Sequence, residues 1–317
     1  WSQEPARWLV TVWRLASVMR AEGPFAAVHS HVNLASGTVL LAALFAGIKV
    51  RIAHSHASAL HGRTAWAWLY RSASRALISI TATRLAACTM QAGGALVGMK
   101  RFRKEGIVIP NAVDTACFFP GRPEVRAVSR RSLGLAEESL ILVSVARMEP
   151  VKNHRFLLEL ASILAEHGYK FDLLLVGDGT LRRDLETEVL RRGLVNSIHF
   201  LGARGDVADI LRCCDALLLP SIREGLPVSL VEAQATGLPC LVADSVAEEA
   251  DMGLGLVQFL STDSSELWMQ ALDALPRAPL TSSVIQETMS ENGYTVEGAL
   301  QALLGLYPQV DGAVGPK

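Results

Sequence analysis

Residues 140–179 read LILVSVARMEPVKNHRFLLELASILAEHGYKFDLLLVGDG. Apolar runs at 140–146 and 171–176 flank an amphipathic segment at 154–167 that has the length and periodicity of a helix. A strand, a helix and a second strand in this order form a βαβ unit, whose two strands lie parallel in one sheet. The stretch therefore predicts an α/β protein.

The same alternation continues on both sides of this unit. Downstream, helical segments separate four more apolar runs, at 198–201, 216–220, 239–243 and 256–259. The resulting six strands are the number found in a Rossmann-like sheet. Upstream, we expect strands near 25–30, 50–54, 86–89 and 107–109, with helices near 7–22, 37–46 and 64–79. Four strands are few for a domain of this type.

The segment FPGRPEVRAVSRRSLGL, at 119–135, interrupts the alternation with two prolines and several arginines. That composition is typical of an exposed connection between domains. We therefore place an N-terminal domain at 1–122 and a C-terminal domain at 123–290. A last helix, within 291–317, is expected to cross back to the first domain.

The composition excludes several classes of protein. Half of the 317 residues are apolar, 19% are charged and the mean hydropathy is +0.29, so a disordered chain is excluded. The most apolar stretch, 34–48, is shorter than a membrane-spanning helix and predicts a buried helix. Because the formal net charge is −1, nucleic acid is not an expected partner. Five cysteines without the spacing of a metal site are typical of a reduced, cytoplasmic protein.

The segment SIREGLPVSLVEAQATGLP, at 221–239, carries the strongest functional signal. A predicted strand leads into a short loop, and a helix follows whose first backbone amides have no partners inside the helix. Such a helix end binds anions and suits a diphosphate. Glu224 and Glu232 flank the start of this helix, and a carboxylate is a good acceptor for the hydroxyls of a ribose or hexose. The alternative, in which Glu224 caps the helix and Glu232 is solvated, stays open on the spacing alone.

Two further loops follow predicted strands. The loop VARMEPVKNH places Arg147 and Lys152 where open α/β sheets bind ligands, and two cations there complement a diphosphate. Ordinary surface charge is the alternative. The loop VGDGT contributes Gly177 and Gly179, which allow close approach to a ligand and equally fit a tight turn. No GxGxxG or P-loop motif is present, which argues against a dinucleotide-dependent dehydrogenase and against a kinase.

Five of the eight histidines lie in the first part of the chain: His29, His31, His54, His56 and His61. The two HSH motifs suggest metal binding, but no carboxylate or cysteine nearby completes a site. We therefore expect no metal. We interpret these histidines as the polar lining of a cleft, with capped strand ends as the alternative.

These motifs together resemble glycosyltransferase family 4, and in particular its bacterial exopolysaccharide branch. The family's order is kept by VHSHVNLASG, RIAHSHA, IPNAVD, VARMEPVKNH, LLLVGDG, IHFLGARGDV and SIREGLPVSLVEAQATGLPCLVAD. The resemblance implies the GT-B architecture, in which two Rossmann-like domains face a cleft. It also implies that the first domain is incomplete at its N-terminus, because the family's first strand and glycine-rich loop have no counterpart in this chain.

The resemblance assigns roles to individual residues. Arg147 and Lys152 would bind the donor diphosphate. Glu232 would hold the ribose, and Glu224 would contact the donor sugar. His56 matches the family's histidine beside the transferred sugar. The remaining residues of the donor site would be Gly177, Gly179, Leu201, Arg204, Gly225, Leu226, Pro227, Val228, Ser229 and Leu230, with Leu201 and Arg204 near the base.

The resemblance implies an enzyme, a retaining hexosyltransferase. It would move a hexose-type sugar from a nucleoside-diphosphate sugar, with UDP favoured, to a saccharide or lipid-linked saccharide in exopolysaccharide or cell-surface glycan synthesis. The cations and helix amides would stabilise the leaving diphosphate without a metal or another cofactor. Two alternatives are a truncated nucleotide-sugar-binding module without turnover and a nicotinamide dehydrogenase, which rests on sheet topology alone.

The segment RTAWAWLYRSASR, at 63–75, combines aromatic residues with arginines. Two interpretations fit it: contact with a membrane that carries a lipid-linked acceptor, or a core-packed helix with its arginines in water. We favour the packed helix. Peripheral association with the inner face of the plasma membrane is the alternative.

Overall fold

The computed structural model describes residues 5–56, 64–276 and 280–307 and consists of two compact units. Unit 1 comprises Trp1–Pro110 and Glu297–Lys317, and unit 2 comprises Asn111–Val296. Each unit contains one parallel β-sheet together with helices. The predicted α/β fold with two parallel-sheet units is confirmed.

Unit 1 has a four-stranded parallel sheet in the order β1-β2-β3-β4. The strands are β1 (Ala27–Ser30), β2 (Val50–Ser55), β3 (Arg84–Ala87) and β4 (Gly106–Val108). The helices between them are α1 (Pro5–Ala21), α2 (Ser36–Phe45), α3 (Ala65–Thr81), α4 (Met90–Val97) and α5 (Met99–Glu105). All four predicted strands are present, and α4 and α5 are additional to the prediction.

A single buried phenylalanine fills the space between α4, α5 and β4 in unit 1. Phe102 of α5 is fully buried, and its ring lies against Gly93 of α4 and Gly106 of β4. A Cβ at either glycine would overlap the ring. The two short helices therefore form where small residues leave space for one large side chain.

Unit 2 has a six-stranded parallel sheet in the order β10-β9-β8-β5-β6-β7. The strands are β5 (Leu140–Val145), β6 (Phe171–Val176), β7 (Ile198–Gly202), β8 (Ala216–Leu219), β9 (Cys240–Ala243) and β10 (Val257–Leu260). The helices are α6 (Pro123–Ser132), α7 (His154–Glu166), α8 (Arg182–Arg191), α9 (Val207–Cys213), α10 (Val228–Ala235), α11 (Ser265–Asp273) and α12 (Ser282–Glu291). This is the Rossmann order, and its direction reverses between β5 and β8. Ligands of such sheets bind at the carboxyl ends of the strands beside that reversal.

The predicted exposed connection at 119–135 is wrong over α6, which is part of unit 2. Arg130 is only 5% exposed, and it donates to the Cys213 carbonyl at 2.9 Å and to Asp215 Oδ2 at 2.7 Å. Arg126 binds the other oxygen of the same carboxylate. The Ile141 amide also donates to Asp215, at 2.7 Å. The arginines of this segment therefore fasten α6 to the edges of β5 and β8.

The division between the units lies at 110/111, whereas the sequence placed it at 122/123. Asn111 Nδ2 donates to the Leu226 carbonyl at 2.8 Å, and the Val113 amide donates to the Tyr294 carbonyl at 3.0 Å. Residues 111–122 are therefore held within unit 2. The chain returns to unit 1 through α13 (Val296–Leu304).

The last described residues complete a core of unit 1. Leu306, directly after α13, is buried in one apolar cluster with Ile52 of β2, Ala86 of β3 and Ile109. Ala299, Ala302 and Leu303 of α13 pack against the same cluster. The core under the sheet of unit 1 is thus built from residues that are about 200 to 250 positions apart in sequence.

The packed-helix interpretation of residues 63–75 is wrong for its aromatic side chains. Trp66 is 73% exposed and Trp68 is 64% exposed, and α3 buries Ser74, Ile78 and Thr81 of its later turns instead. In the part of the chain that the structure describes, no helix is both long enough and apolar enough to cross a membrane.

The role of Arg130 is tested by the substitution Arg130→Met. It leaves the Cys213 carbonyl and part of the Asp215 carboxylate without their buried donor. We expect the free energy of unfolding to fall by about 3 kcal/mol, measured by urea denaturation. The matched control is Arg131→Met. That arginine is 62% exposed, its one ion pair within the described residues is with Glu137, and its loss should change stability by less than about 1 kcal/mol. Equal losses from the two variants would contradict the anchoring role.

Candidate active site

Lys152 and Glu224, predicted from separate motifs, are bonded to each other. The loops that carry them follow β5 and β8, which are neighbours in the sheet of unit 2. The Ile222 amide donates to the Val151 carbonyl at 2.8 Å and joins the two loops. Lys152 Nζ donates to Glu224 Oε1, and Ser221 Oγ donates to the same oxygen at 3.0 Å. A largely buried ion pair therefore lies beside the strand reversal.

The path of the chain after β5 brings Lys152 to this position. Pro150–Lys152 form one 3-10 turn, and Asn153 then adopts a left-handed conformation with φ 55°. Asparagine tolerates this conformation better than most residues. The chain enters α7 directly afterwards, so Lys152 stays at the sheet edge.

Arg147 lies exposed in the same loop, between two anchored residues. The Ala146 amide donates to the Val176 carbonyl at 3.0 Å, and the Met148 amide donates to the Asp178 carbonyl at 2.9 Å. Among the residues described, the Arg147 side chain forms no ion pair. A cation that is fixed at its backbone and has no carboxylate partner is available to an anionic ligand.

Gly177 and Gly179 allow the loops after β5 and β6 to touch. A Cβ at Gly179 would lie 2.5 Å from the Met148 carbonyl oxygen. At Gly177, where φ is +131°, a Cβ would overlap the Ala146 carbonyl. No other residue fits such contacts without moving the backbone. The tight-turn interpretation of VGDGT therefore holds, and a direct contact of these glycines with a ligand stays a prediction.

The end of β7 joins the same edge. The Gly177 amide donates to the Gly202 carbonyl at 2.8 Å. Leu201 is half-buried, and Arg204 is exposed and donates to both carboxylate oxygens of Asp206, at 2.7 and 2.5 Å. The structure thus places Leu201 and Arg204 at the carboxyl edge of the sheet that also carries Arg147. Their predicted contact with a base is not tested by this geometry.

The N-cap residue of α10 makes no side-chain hydrogen bond to the helix. Pro227 occupies the N-cap position in an extended conformation, and the exposed Val228 and half-buried Ser229 begin the helix. Glu232, one turn further, is half-buried, and this burial raises the pKa of its carboxyl group. Because the Glu232 side chain is half-buried, the alternative in which it is fully solvated is wrong.

The other predicted donor-site residues of this segment could contact a ligand through their backbone and not through their side chains. Leu226 and Leu230 belong to the buried core, and Pro227 is buried as well. Gly225 is half-buried in the loop before them. The Leu230 amide already donates to the Pro227 carbonyl at 3.1 Å, so the amides of Val228 and Ser229 are the groups of the first turn that can face an anion.

The sequence analysis missed His154, the first residue of α7. It is 1% exposed, and neither ring nitrogen has a hydrogen-bond partner. Burial, together with the charge of Lys152, lowers the pKa of His154 to about 4. The imidazole is therefore neutral at pH 7. The one sequence signal for His154 was its position two residues after Lys152. That position does not predict burial, because a histidine at a strand-to-helix junction can be buried or exposed.

The histidines of unit 1 come together at the carboxyl ends of β1 and β2. His29 Nε2 lies 3.1 Å from His54 Nδ1, and His31 Nδ1 lies 2.9 Å from His56 Nε2. Four pairs of these rings stack with centroids 4.1 to 5.2 Å apart, and the His31 and His54 rings are tilted to each other at 4.8 Å. Burial and the neighbouring imidazoles lower the pKa of His29 to about 4 and that of His54 to about 3. His61 lies outside the described residues.

Asn33 fixes the position of His56. Its Oδ1 accepts the His56 amide at 3.0 Å and Ser55 Oγ at 3.2 Å. Asn33 has a positive φ of 51°, which turns the chain after β1 toward the end of β2. The His56 side chain is exposed at this edge.

Comparison with known proteins identifies relatives along almost the whole chain. The profile of the family described as Glycosyl transferases group 1 matches residues 125–252, within unit 2. The putative glycosyltransferase EpsF of Bacillus subtilis (strain 168) is 37% identical over 305 residues, which cover 94% of this chain and 79% of that protein. The UDP-Gal:alpha-D-GlcNAc-diphosphoundecaprenol alpha-1,3-galactosyltransferase of Escherichia coli is 36% identical over 140 residues, or 43% of this chain and 36% of that protein.

Solved structures show the same fold at low sequence identity. Anabaena HepE in complex with UDP-glucose superposes with a TM-score of 0.76 at 18% identity, covering 93% of this chain and 81% of that one. The two parallel-sheet units are thus those of GT-B glycosyltransferase structures.

Gly179→Ala tests how the Arg147 loop is held. The added methyl group meets the Met148 backbone, so the loop must move. We expect a loss of about 2 kcal/mol in unfolding free energy, measured by urea denaturation. Gly205→Ala is the matched control, because a Cβ there meets nothing within 4 Å. A Gly179→Ala variant as stable as Gly205→Ala would show that the loops are not in this contact.

Proposed function

The chain belongs to the Glycosyl transferases group 1 family and is a glycosyltransferase, and we propose that it is a retaining, metal-independent enzyme of family 4. The proposed donor is a UDP-hexose, and the proposed acceptor is a saccharide or lipid-linked saccharide of exopolysaccharide or cell-surface glycan synthesis. One observation carries the proposal. Arg147, Lys152 and Glu224 lie in the loops after β5 and β8, on the two sides of the strand reversal, next to the start of α10.

The choice of UDP rests on relatives rather than on a contact in this chain. The E. coli relative is named for UDP-Gal, and HepE was solved with UDP-glucose. Glu232 suits the ribose because its carboxyl group is half-buried beside the helix start. A carboxylate at that position accepts hydrogen bonds from two neighbouring hydroxyls.

The same residues suit the departure of a nucleoside diphosphate. As the bond between the anomeric carbon and the diphosphate oxygen breaks, negative charge grows on the leaving phosphate. Arg147, Lys152 and the first amides of α10 would stabilise that charge, which is the task that a metal ion performs in other transferases. Arg147 supplies a full positive charge, whereas Lys152 shares its charge with Glu224.

Glu224 then has two proposed tasks. It holds Lys152 in place before the donor binds, and it lies at the edge where the donor sugar would be. In the retaining step, the acceptor oxygen bonds to the anomeric carbon on the face that the phosphate leaves, and the acceptor proton passes to the leaving phosphate. Glu224 is thus a positioning group and not a covalent nucleophile. The contact of His56 with the transferred sugar stays a prediction.

Two substitutions separate binding from turnover. Glu232→Ala removes the proposed ribose contact and should weaken UDP binding at least about tenfold, measured by titration calorimetry. Glu224→Gln keeps the shape but loses the charge that holds Lys152. It should lower kcat for UDP release from UDP-glucose about a hundredfold and change UDP affinity little. Release of UDP with water as the acceptor needs no knowledge of the natural acceptor.

The control for both variants is Glu166→Gln, an exposed carboxylate of α7 away from the sheet edge. It should leave binding and turnover unchanged. Equal losses of affinity and turnover in the Glu224 and Glu232 variants would contradict the division of roles. UDP binding without any release of UDP from a panel of UDP-hexoses would favour the binding-module alternative.

We further propose that unit 1 contacts an anionic membrane. The E. coli relative is named for a diphosphoundecaprenol-linked substrate. In this chain, Trp68, Arg71 and Arg75 of α3 line an open cavity of about 580 Å³ together with Met99, the first residue of α5. The exposed side chains of Lys100, Arg103 and Lys104 follow on α5. Exposed tryptophans beside a basic helix are suited to the headgroup region of anionic lipids.

Vesicle flotation tests this contact. The wild-type chain should float with vesicles containing phosphatidylglycerol and not with purely zwitterionic vesicles. The double variants Trp66→Ser/Trp68→Ser and Lys100→Glu/Lys104→Glu should each lose most of the bound fraction. Leu190→Ser on α8 replaces an exposed apolar residue of unit 2 and is the control. Unchanged flotation in both double variants would overturn the proposal.

A further inference from the structure

The four histidines at the ends of β1 and β2 form a cluster that the transfer reaction does not fully use. His56 has a proposed contact with the sugar, but His29, His31 and His54 have none. The sequence argued against a metal because no carboxylate or cysteine accompanies the HSH motifs. The fold weakens this argument, because it brings the imidazoles of His29, His31 and His54 close together at the ends of two strands.

The spacing of these imidazoles approaches that of a metal site. One ring nitrogen from each of His29, His31 and His54 lies within 4.8 Å of the other two. His29 Nε2 and His54 Nδ1 are already 3.1 Å apart. Nitrogens that bind one Zn²⁺ tetrahedrally, at 2.0–2.1 Å from the ion, are about 3.4 Å from each other. Rotations of the side chains that move the ring nitrogens by about 1 Å close the difference.

We propose that His29, His31 and His54 bind one divalent transition-metal ion, with Zn²⁺ as the reference ion. All three ligands are nitrogens, a donor set that suits Zn²⁺, Co²⁺, Ni²⁺ or Cu²⁺ and not the oxygen-preferring Mg²⁺ or Ca²⁺. Three imidazoles leave the fourth tetrahedral position open to water or to another ligand.

The protonation state of the cluster is compatible with the proposal. Burial keeps the imidazoles of His29 and His54 neutral, and the neutral form is the one that binds metal. When an ion binds, coordinate bonds from the ring nitrogens would replace the contacts between the stacked rings.

Neighbouring groups are placed as supporting residues of such a site. Tyr307 Oη lies 2.7 Å from His29 Nδ1, which favours His29 Nε2 as the ligand atom. His56 Nε2 lies 2.9 Å from His31 Nδ1. The proposed sugar contact and the metal ligands are thus adjacent but separate. The expectation that transfer needs no metal concerned the leaving diphosphate in unit 2, and this site lies in unit 1.

The test titrates the full chain, without a polyhistidine tag, with ZnCl₂ in a calorimeter. We expect one equivalent of Zn²⁺ to bind with saturation and MgCl₂ to give no heat. Co²⁺ should give the visible absorption of a four-coordinate ion. His31 is exposed, so His31→Ala should fold normally and bind Zn²⁺ at least about tenfold more weakly.

Three further variants complete the test. His54→Gln should abolish the Co²⁺ spectrum. Far-UV circular dichroism shows whether this variant folds. If it does not fold, the result of His31→Ala decides. Tyr307→Phe should weaken Zn²⁺ about tenfold if the phenol orients His29. His199→Ala, which removes a histidine paired with Asp172 in unit 2, should change nothing. Absence of saturable binding, or affinity unchanged in His31→Ala, would overturn the proposal. Neither outcome depends on UDP binding.

Discussion

The candidate active site depends on backbone hydrogen bonds that join the loops after β5, β6 and β7. The amides of Ala146 and Met148 bond to the carbonyls of Val176, at the end of β6, and of Asp178 after it, and the Gly177 amide bonds to the Gly202 carbonyl at the end of β7. These bonds exist because two positions carry no Cβ, so the peptides approach more closely than side chains allow. Arg147 is thereby presented from a rigid edge, where it loses little conformational freedom when it meets an anion.

Lys152 and Arg147, two cations of this edge, differ in how far their charge is balanced by neighbouring carboxylates. Lys152 is neutralised by a carboxylate that also accepts a serine hydroxyl, so most of its charge is balanced before any ligand arrives. Arg147 has no carboxylate of its own among the described residues. The neutral, buried His154 adds no third charge. Of Lys152 and Arg147, only Arg147 therefore offers an unbalanced charge to a diphosphate, which limits the repulsion between these two cations in the unliganded protein.

Local patterns predicted the sheets well, because buried parallel strands are short apolar runs and their helices are amphipathic. Local patterns failed where a residue's contacts are made by residues that are distant in the sequence. Arg130 looks like a surface residue until Asp215, 85 positions away, is beside it. The Lys152–Glu224 pair joins residues 72 positions apart, so each was predicted but their bond was not. The histidines were noticed, yet only the parallel register of β1 and β2 shows that their rings stack.

Unit 2 is an insertion within unit 1, and its two ends are paired, since Val113 bridges Thr295 beside the crossing points. This arrangement sets an order for folding during synthesis. The first 110 residues leave the ribosome without Leu306, which fills the core cluster under their sheet. Unit 2 is complete at residue 296, and it closes its own ends before the last helix emerges. The core of unit 1, though most of its residues come first in the sequence, is therefore completed only after unit 2 has emerged, when Leu306 joins it.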